Sequence, residues 1–261
     1  MLFVWPICYG SMMQWIDDGL VLSAQKYGEN SVILHSFSRE HGRYAGMVRG
    51  GTSKRLRGLL QPGNEIGLNW RGRLSEHLGN FTIEAKSAIG ASLFADPLGL
   101  SASSAALALL MKILPEREPH PALFEATILL IKSLSGDIAI WGPLYVRWEL
   151  GVLAEMGYGL DLGECAATGS KTDLVYVSPK SGRAVSKSAG WAYRDRMLKL
   201  PAFLQNTQGD PKAAAPLKDQ VLDGMQLSGY FIHKFLLAHY TEEALPARER
   251  LITSLKKDHA L

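Results

Sequence analysis

The stretch SVILHSFSREHGRYAGMVRGGTSKRLRG, Ser31 to Gly58, decides how the amino-terminal part of the chain is read. Its first half alternates. Val32, Leu34 and Ser36 lie opposite Ile33, His35 and Phe37, the period of a β-strand with two unlike faces. EHG separates this strand from a second, RYAGMVR, and GGTSK ends that one with turn residues. Working outward, GLVLSAQKY precedes the pair, and NEIGLNWRGR and NFTIEAKSA follow it, with YGEN and QPGN as further breaks. Five short strands in about seventy residues predict a small closed barrel, because closure removes the open edges of so small a sheet.

After Ser87 the pattern changes from strand to helix. SASSAALALLMKILPE, HPALFEATILLIKSLSGD and IWGPLYVRWELGVLAEMGY are rich in alanine and leucine. In the second of these, Leu123, Ala126, Thr127, Leu130 and Leu134 recur at helical spacing. Pro115, Pro119 and Pro121 punctuate between helices. PLKDQVLDGMQLSGYFIHKFLLA predicts another helix over 216–238, and TEEALPARERLITSLKK a last one, capped at Thr241 and kinked near Pro246. All-β followed by all-α gives two domains, residues 13–88 and 89–261. A polar, turn-rich insert, residues 161–200, interrupts the helices and contains a predicted hairpin, LVYVSPKSGRAV. The first twelve residues, MLFVWPICYGSM, lack the basic start and cleavage site of a signal peptide. They are expected to be an upstream-start extension ahead of Met13.

The chain of 261 residues carries a net charge of only +3, so its mean basicity says little. The distribution says more. Between Arg43 and Arg73 there are seven cations and one acid, Glu65, a net +6. The cations are Arg43, Arg49, Lys54, Arg55, Arg57, Arg71 and Arg73, with Tyr44 and Trp70 among them; Trp70 reads equally as barrel core, and alternation turns one of Arg43 and Tyr44 inward. Glycine-jointed basic loops with interleaved aromatics suit a nucleic-acid strand, the cations neutralising phosphates and the rings stacking on bases. Two cysteines, Cys8 and Cys165, exclude a disulfide framework and point to the cytoplasm. No apolar run is long enough to span a membrane.

Signals for chemistry are weak. GMVRGG lacks the Lys-Ser/Thr of a phosphate-binding P-loop, and a basic loop rather than a helix is expected after it. GYGLDLG follows a helix, not the strand that a dinucleotide site needs. The seven histidines show no metal-binding spacing, and no G-x-S-x-G elbow occurs. Asp17 and Asp18 read as a strand entry rather than an acid–base pair. No carboxylate cluster for Mg²⁺ lies near the basic window. The residues thus predict a binding protein, not an enzyme, whose polymer partner is a nucleic acid or, alternatively, an acidic protein met as a scaffold.

Barrel, helices and a cysteine-containing polar insert together resemble the RecO family of bacterial recombination mediators. GLVLSAQKYGENSVILHSFSREHGRYAGMVRGGTSK, LLQPGNEIGLNW and LYVRWELGVLAEMGYGLDLGEC carry the resemblance, and EHGRYAGMVRGG is its most specific piece. It implies an α+β multidomain chain: an N-terminal OB-fold barrel, then an all-α domain with a small inserted zinc-finger-like hairpin. It implies binding and annealing of single- and double-stranded DNA in the cytoplasm, at the nucleoid. It also implies partnership with RecR, capture of the acidic tail of single-strand-binding protein, and help in loading RecA.

The DNA contacts expected on this resemblance and on charge are Arg43, Arg49, Lys54, Arg55, Arg57, Trp70, Arg71 and Arg73. The tail of single-strand-binding protein is acidic with an apolar end, so its receptor should pair a cation with an apolar groove. Lys132 and Arg147, isolated cations near Leu130, Leu134, Tyr145 and Trp148, are the candidates. One departure from the family matters. Many members carry two C-x-x-C pairs for zinc; here those positions read Cys165, Thr168, Ser186 and Ala189. A single thiolate cannot hold a structural zinc, so no metal and no cofactor is expected, and Cys165 is expected to be a small, partly buried residue without a redox role.

Overall fold

The computed structural model describes residues 13–205, 217–238 and 245–257; the first twelve residues, and the Thr241 cap, lie outside the described residues. The chain divides into two compact units. One runs through Ala91 and includes Leu114–Pro121; the other comprises Ser92–Ile113 and the chain from Ala122 onward.

The first unit is an OB-fold. Its strands are β1 (Met13–Tyr27), β2 (Ser31–Ser38), β3 (Gly42–Arg49), β4 (Glu65–Gly72) and β5 (Asn80–Ser87), closed in the order β1-β2-β3-β5-β4. A helix, α1 (Lys54–Leu59), joins β3 to β4. Strand alternation builds the core. Tyr44 and Val48 of β3, Ile66, Leu68 and Trp70 of β4, and Phe81 and Ile83 of β5 all point inward. Gly46 sits on the same inward face because a Cβ there would lie 2.4 Å from the Phe81 ring. β3 and β5 run parallel and meet at a single register pair, Met47 and Asn80, so the closure of the barrel is thinnest there.

Three expectations need correcting in this unit. β1 starts at Met13, not at Gly19, so Asp17 and Asp18 lie within the strand. The Asp17 carboxylate secures the β2–β3 turn, accepting from Ser38 Oγ at 2.5 Å and Glu40 N at 2.7 Å. Burial pushes its acidity down, but these bonds and one from His41 outweigh burial and hold its pKa below the usual value. The basic segment after Gly51 is not a loop: Leu56 and Leu59, three apart on α1, pack against the barrel core and impose the helix. Finally, Leu114–Pro121 is more than punctuation between helices. It packs on the barrel, where Arg117 N donates to Arg43 O at 2.9 Å. Gly42, at φ +68°, makes room for it, since a Cβ there would collide with the Glu118 backbone.

The second unit contains α2 (Ile89–Ser92) only at its boundary, then α3 (Pro97–Ile113), α4 (Pro121–Ser133) and α5 (Ile138–Glu155). The insert follows, with β6 (Leu174–Val177) antiparallel to β7 (Ala184–Ser186), a short β8 (Leu198–Lys199) on the other edge of β6, and α6 (Lys187–Gly190). α7 (Leu217–Phe231) and α8 (Pro246–Lys257) complete it. The helix expected to run to residue 238 changes at Phe231 into a π-turn, Ile232–Leu236. Pro246 does not kink the last helix; it opens it, in the first-turn position where a missing N–H costs nothing. The core of this unit holds a buried ion pair. Arg248 of α8 forks onto Glu149 of α5, and Ser228 Oγ of α7 donates to the same carboxylate at 2.5 Å. No described helix is long and apolar enough to cross a membrane.

Candidate nucleic-acid interface

The basic window becomes a groove because of strand and helix periodicity. On β3, Tyr44 and Val48 point in, which leaves Arg49 outside at the strand end. On β4, Trp70 points in, which leaves Arg71 outside. On α1, Leu56 and Leu59 face the core, which leaves Lys54, Arg55 and Arg57 exposed. Arg49, Arg55, Arg71 and Arg73 converge on a groove of about 650 Å³ beside the Met47–Asn80 junction. His77, Asn80 and Thr82 complete its polar lining. None of the four arginines has a carboxylate partner among the described residues, so the groove presents uncompensated positive charge. Lys54 and Arg57 are exposed on α1 but do not line the groove. Nothing in the sequence marks the neutral lining residues, because His77 and Asn80 sit in a turn and at a strand start that carry no charge signal.

Of the expected DNA contacts, Trp70 and Arg43 do not line the groove, and neither does Tyr44. Trp70 is fully buried, stacked at 5.9 Å on Trp15, and its Nε1 donates to Leu78 O at 3.1 Å. Its ring is therefore core, with no face for a base. Tyr44 is likewise 4% exposed, and its hydroxyl donates to Ser75 O at 2.5 Å. Arg43 points outward but is spoken for. Its Nε donates to Leu114 O at 2.8 Å and its guanidinium lies 3.2 Å from Glu116. Its charge holds the Leu114–Pro121 segment to the barrel instead of facing a ligand.

In the helical unit, α4 and α5 enclose an apolar groove of about 330 Å³, lined by Leu123, Leu129, Leu130, Leu144 and Trp148. Arg147 stands at this groove and donates to Phe203 O, with its guanidinium 5.9 Å from the Phe203 ring. Lys132 is exposed on α4 but is not among the lining residues, and Tyr145 and Leu134 are buried in the core.

Comparison with known proteins now places the chain. The family described as Recombination protein O N terminal matches residues 12–88, and Recombination protein O C terminal matches residues 95–249. The chain belongs to the RecO family. It is similar to the DNA repair protein RecO of Rhodospirillum centenum, 46% identical over 249 residues that cover 95% of this chain and 96% of that one. Similar too are the DNA repair proteins RecO of Methylobacterium nodulans, 46% identical over 93% of this chain and 98% of that one, and of Methylocella silvestris, 44% identical over 94% and 97%.

RecO membership raises the question of zinc, and the donor set answers it. Cys165 and Ser186 lie together in the insert: Sγ is 3.4 Å from Ser186 Oγ and accepts the Ser186 amide N–H at 3.2 Å. Thr168 also hydrogen-bonds the sulfur. One thiol with two hydroxyls and an alanine methyl does not suit a structural zinc. The Ser186 amide N–H, a neutral donor, is directed at the sulfur. Cys165 is 1% exposed, more buried than expected. Burial pushes its thiol up, but hydrogen bonds with Ser186 and Thr168 and from the Ser186 and Ala167 amides outweigh it and lower the pKa to about 6.

Proposed function

We propose that this chain is a recombinational DNA repair mediator of the cytoplasm and nucleoid, whose barrel groove grips the phosphates of a single strand. The observation that carries this reading is the convergence of Arg49, Arg55, Arg71 and Arg73 on one groove without a neutralising acid among the described residues. Lys54 and Arg57, exposed on the adjoining helix, extend the positive field along the strand. Family membership supports the remainder: annealing of complementary strands, action with RecR, and loading of RecA onto DNA coated by single-strand-binding protein. The reading needs no catalysis. Cations that screen two strands lower the repulsion that slows their pairing.

The apolar α4–α5 groove is lined by one cation, Arg147, and one acid, Glu155; its leucines and Trp148 suit the apolar end of a tail and Arg147 its carboxylates. Lys132, exposed on the same helix as Leu129 and Leu130, adds charge near it without lining it. Fluorescence anisotropy of a labelled tail peptide tests this part: Arg147→Ala weakens binding, and equal binding by that variant refutes the placement. For DNA, Arg55→Ala/Arg71→Ala/Arg73→Ala is expected to weaken oligonucleotide binding and flatten its salt dependence. Equal binding by that variant would remove the barrel groove from the account.

A further inference from the structure

The insert carries a second concentration of charge that the barrel does not explain. From Cys165 to Leu200 there are seven cations and two acids, a net +5 in a chain whose total is +3. Arg183 is neutralised by Asp161 at 3.0 Å and Glu164 at 3.2 Å, and Lys199 by Asp223 at 3.2 Å. Arg194 lies 3.9 Å from the exposed Asp195 carboxylate, a loose surface pair. Lys171, Lys180, Lys187 and Arg196 have no carboxylate partner among the described residues. α6 then runs straight into a 3₁₀ helix, Trp191–Arg196, in which no residue is buried. Trp191 is 57% exposed and Tyr193 59% exposed, and the Arg194 guanidinium lies 4.6 Å from the Trp191 ring centre.

A single exposed aromatic is ordinary. Two large rings within three residues, held out by a helix with no buried face and set among unpaired cations, are not accounted for by packing. Their anchor is rigid: Gly190, just before Trp191, is buried, and a Cβ there would lie 2.5 Å from the Tyr176 ring of β6. Trp191, Tyr193 and Arg194 line none of the three described cavities. The patch offers flat π-faces, a guanidinium plane and positive charge, which is how single-stranded nucleic acid is held without regard to sequence. An acidic peptide would use the cations but has no need of the rings.

We propose that the 3₁₀ helix Trp191–Arg196, with Lys187, is a second contact for single-stranded nucleic acid, on the helical unit and separate from the barrel groove. Bases stack on Trp191 and Tyr193 while Arg194, Arg196 and Lys187 meet phosphates. The inference rests on the DNA-binding reading above. It adds a second strand site on one chain, which raises the effective concentration of two complementary strands.

The test is a stoichiometric titration of the full chain with a fluorescein-labelled dT oligonucleotide of about eight nucleotides, within the span of one OB-fold site. The native chain takes two equivalents. Trp191→Ala/Tyr193→Ala takes one at unchanged affinity, and weakens the other roughly 5- to 150-fold for each ring lost. Trp191→Phe keeps most of it. Arg55→Ala/Arg71→Ala/Arg73→Ala loses the opposite equivalent. Because both rings are exposed, the insert variants melt at the native temperature. Two equivalents of native affinity in Trp191→Ala/Tyr193→Ala overturn the insert site alone. Labelled polyglutamate bound by the native chain and lost in Trp191→Ala/Tyr193→Ala, with no oligonucleotide bound at the insert, overturns it in favour of an acidic protein. No oligonucleotide bound by the native chain at all overturns the DNA-binding reading itself.

Discussion

Trp70 and Arg71 are neighbours in sequence and stand on opposite faces of β4. Trp70 is 0% exposed and donates to Leu78 O at 3.1 Å, while Arg71 opens onto the basic groove. The strand repeat of two thus divides one dipeptide between folding and binding. Trp70→Ala should cost about 3–5 kcal/mol by opening a cavity in the barrel core. Arg71→Ala should leave stability within about 0.5 kcal/mol and act on DNA binding. Urea denaturation of the two variants checks this; a stable Trp70→Ala with weakened DNA binding would return the ring to the interface.

Arg43 and Arg55 carry the same charge in the basic window but different duties. Arg43 is tied to Leu114 O and Glu116, whereas Arg55 lines the groove with no acid near it. Arg55→Ala should lower the salt slope of single-strand binding by about 0.7. Arg43→Ala should leave that slope nearly unchanged and destabilise the barrel by about 1–3 kcal/mol, through the unpaired Leu114 carbonyl and the loosened segment. Binding titrations at several salt concentrations, paired with denaturation, separate the two.

The buried pair in the helical unit makes a prediction about stability alone. Arg248 Nε donates to Glu149 Oε1 at 2.7 Å, and a second guanidinium nitrogen to Oε2 at 3.0 Å, with the residues 3% and 0% exposed. The Glu149 charge keeps the guanidinium ionised in spite of burial, which alone would favour the neutral form. Arg248→Met leaves a buried carboxylate unpaired and should cost about 3–5 kcal/mol. Glu149→Leu/Arg248→Met should recover much of that loss. A double variant no more stable than the single one would mean that the pair contributes more than it costs to desolvate.

The barrel was legible in the sequence because alternation at period two is a local signal: Val32 and Leu34, or Ile66, Leu68 and Trp70, declare one face without help from the rest of the chain. What was missed depends on contacts between distant residues. Asp17 and Asp18 read as a strand entry because charge is rare inside strands; the β2–β3 turn that Asp17 binds and the Lys86 ammonium of β5 beside Asp18 explain them. Arg43 reads as a DNA contact until Glu116, seventy-three positions away, is placed beside it. α1 is six residues with a glycine, too short for a helical period to show; the barrel core beneath Leu56 and Leu59 forms it. The insert's charge was visible in the sequence, but the exposure of Trp191 and Tyr193 was not, since exposed and buried aromatics have the same letters.

Cys165 links the insert to pH. Its folded pKa, about 6, lies below the ordinary thiol value of 9.0. A depressed acid favours the folded state where it is ionised. This contribution should therefore be full above about pH 9 and fade as pH falls through about 6. The unfolding free energy of the native chain, relative to Cys165→Ala, should rise between these limits; a difference independent of pH contradicts it. Elemental analysis of the purified chain should find no stoichiometric zinc, and one zinc per chain would contradict the reading of the donor set.

The central claim, that the four-arginine groove holds the phosphates of a single strand, is tested most directly by the salt dependence of oligonucleotide binding. Measured in the Trp191→Ala/Tyr193→Ala chain, so that the barrel groove is read alone, four phosphate contacts give a slope of log affinity on log salt of about −3 for single strands, and adding Arg55→Ala/Arg71→Ala/Arg73→Ala brings it toward −1. No binding in dilute buffer, or a slope that the triple variant leaves unchanged, would contradict the account.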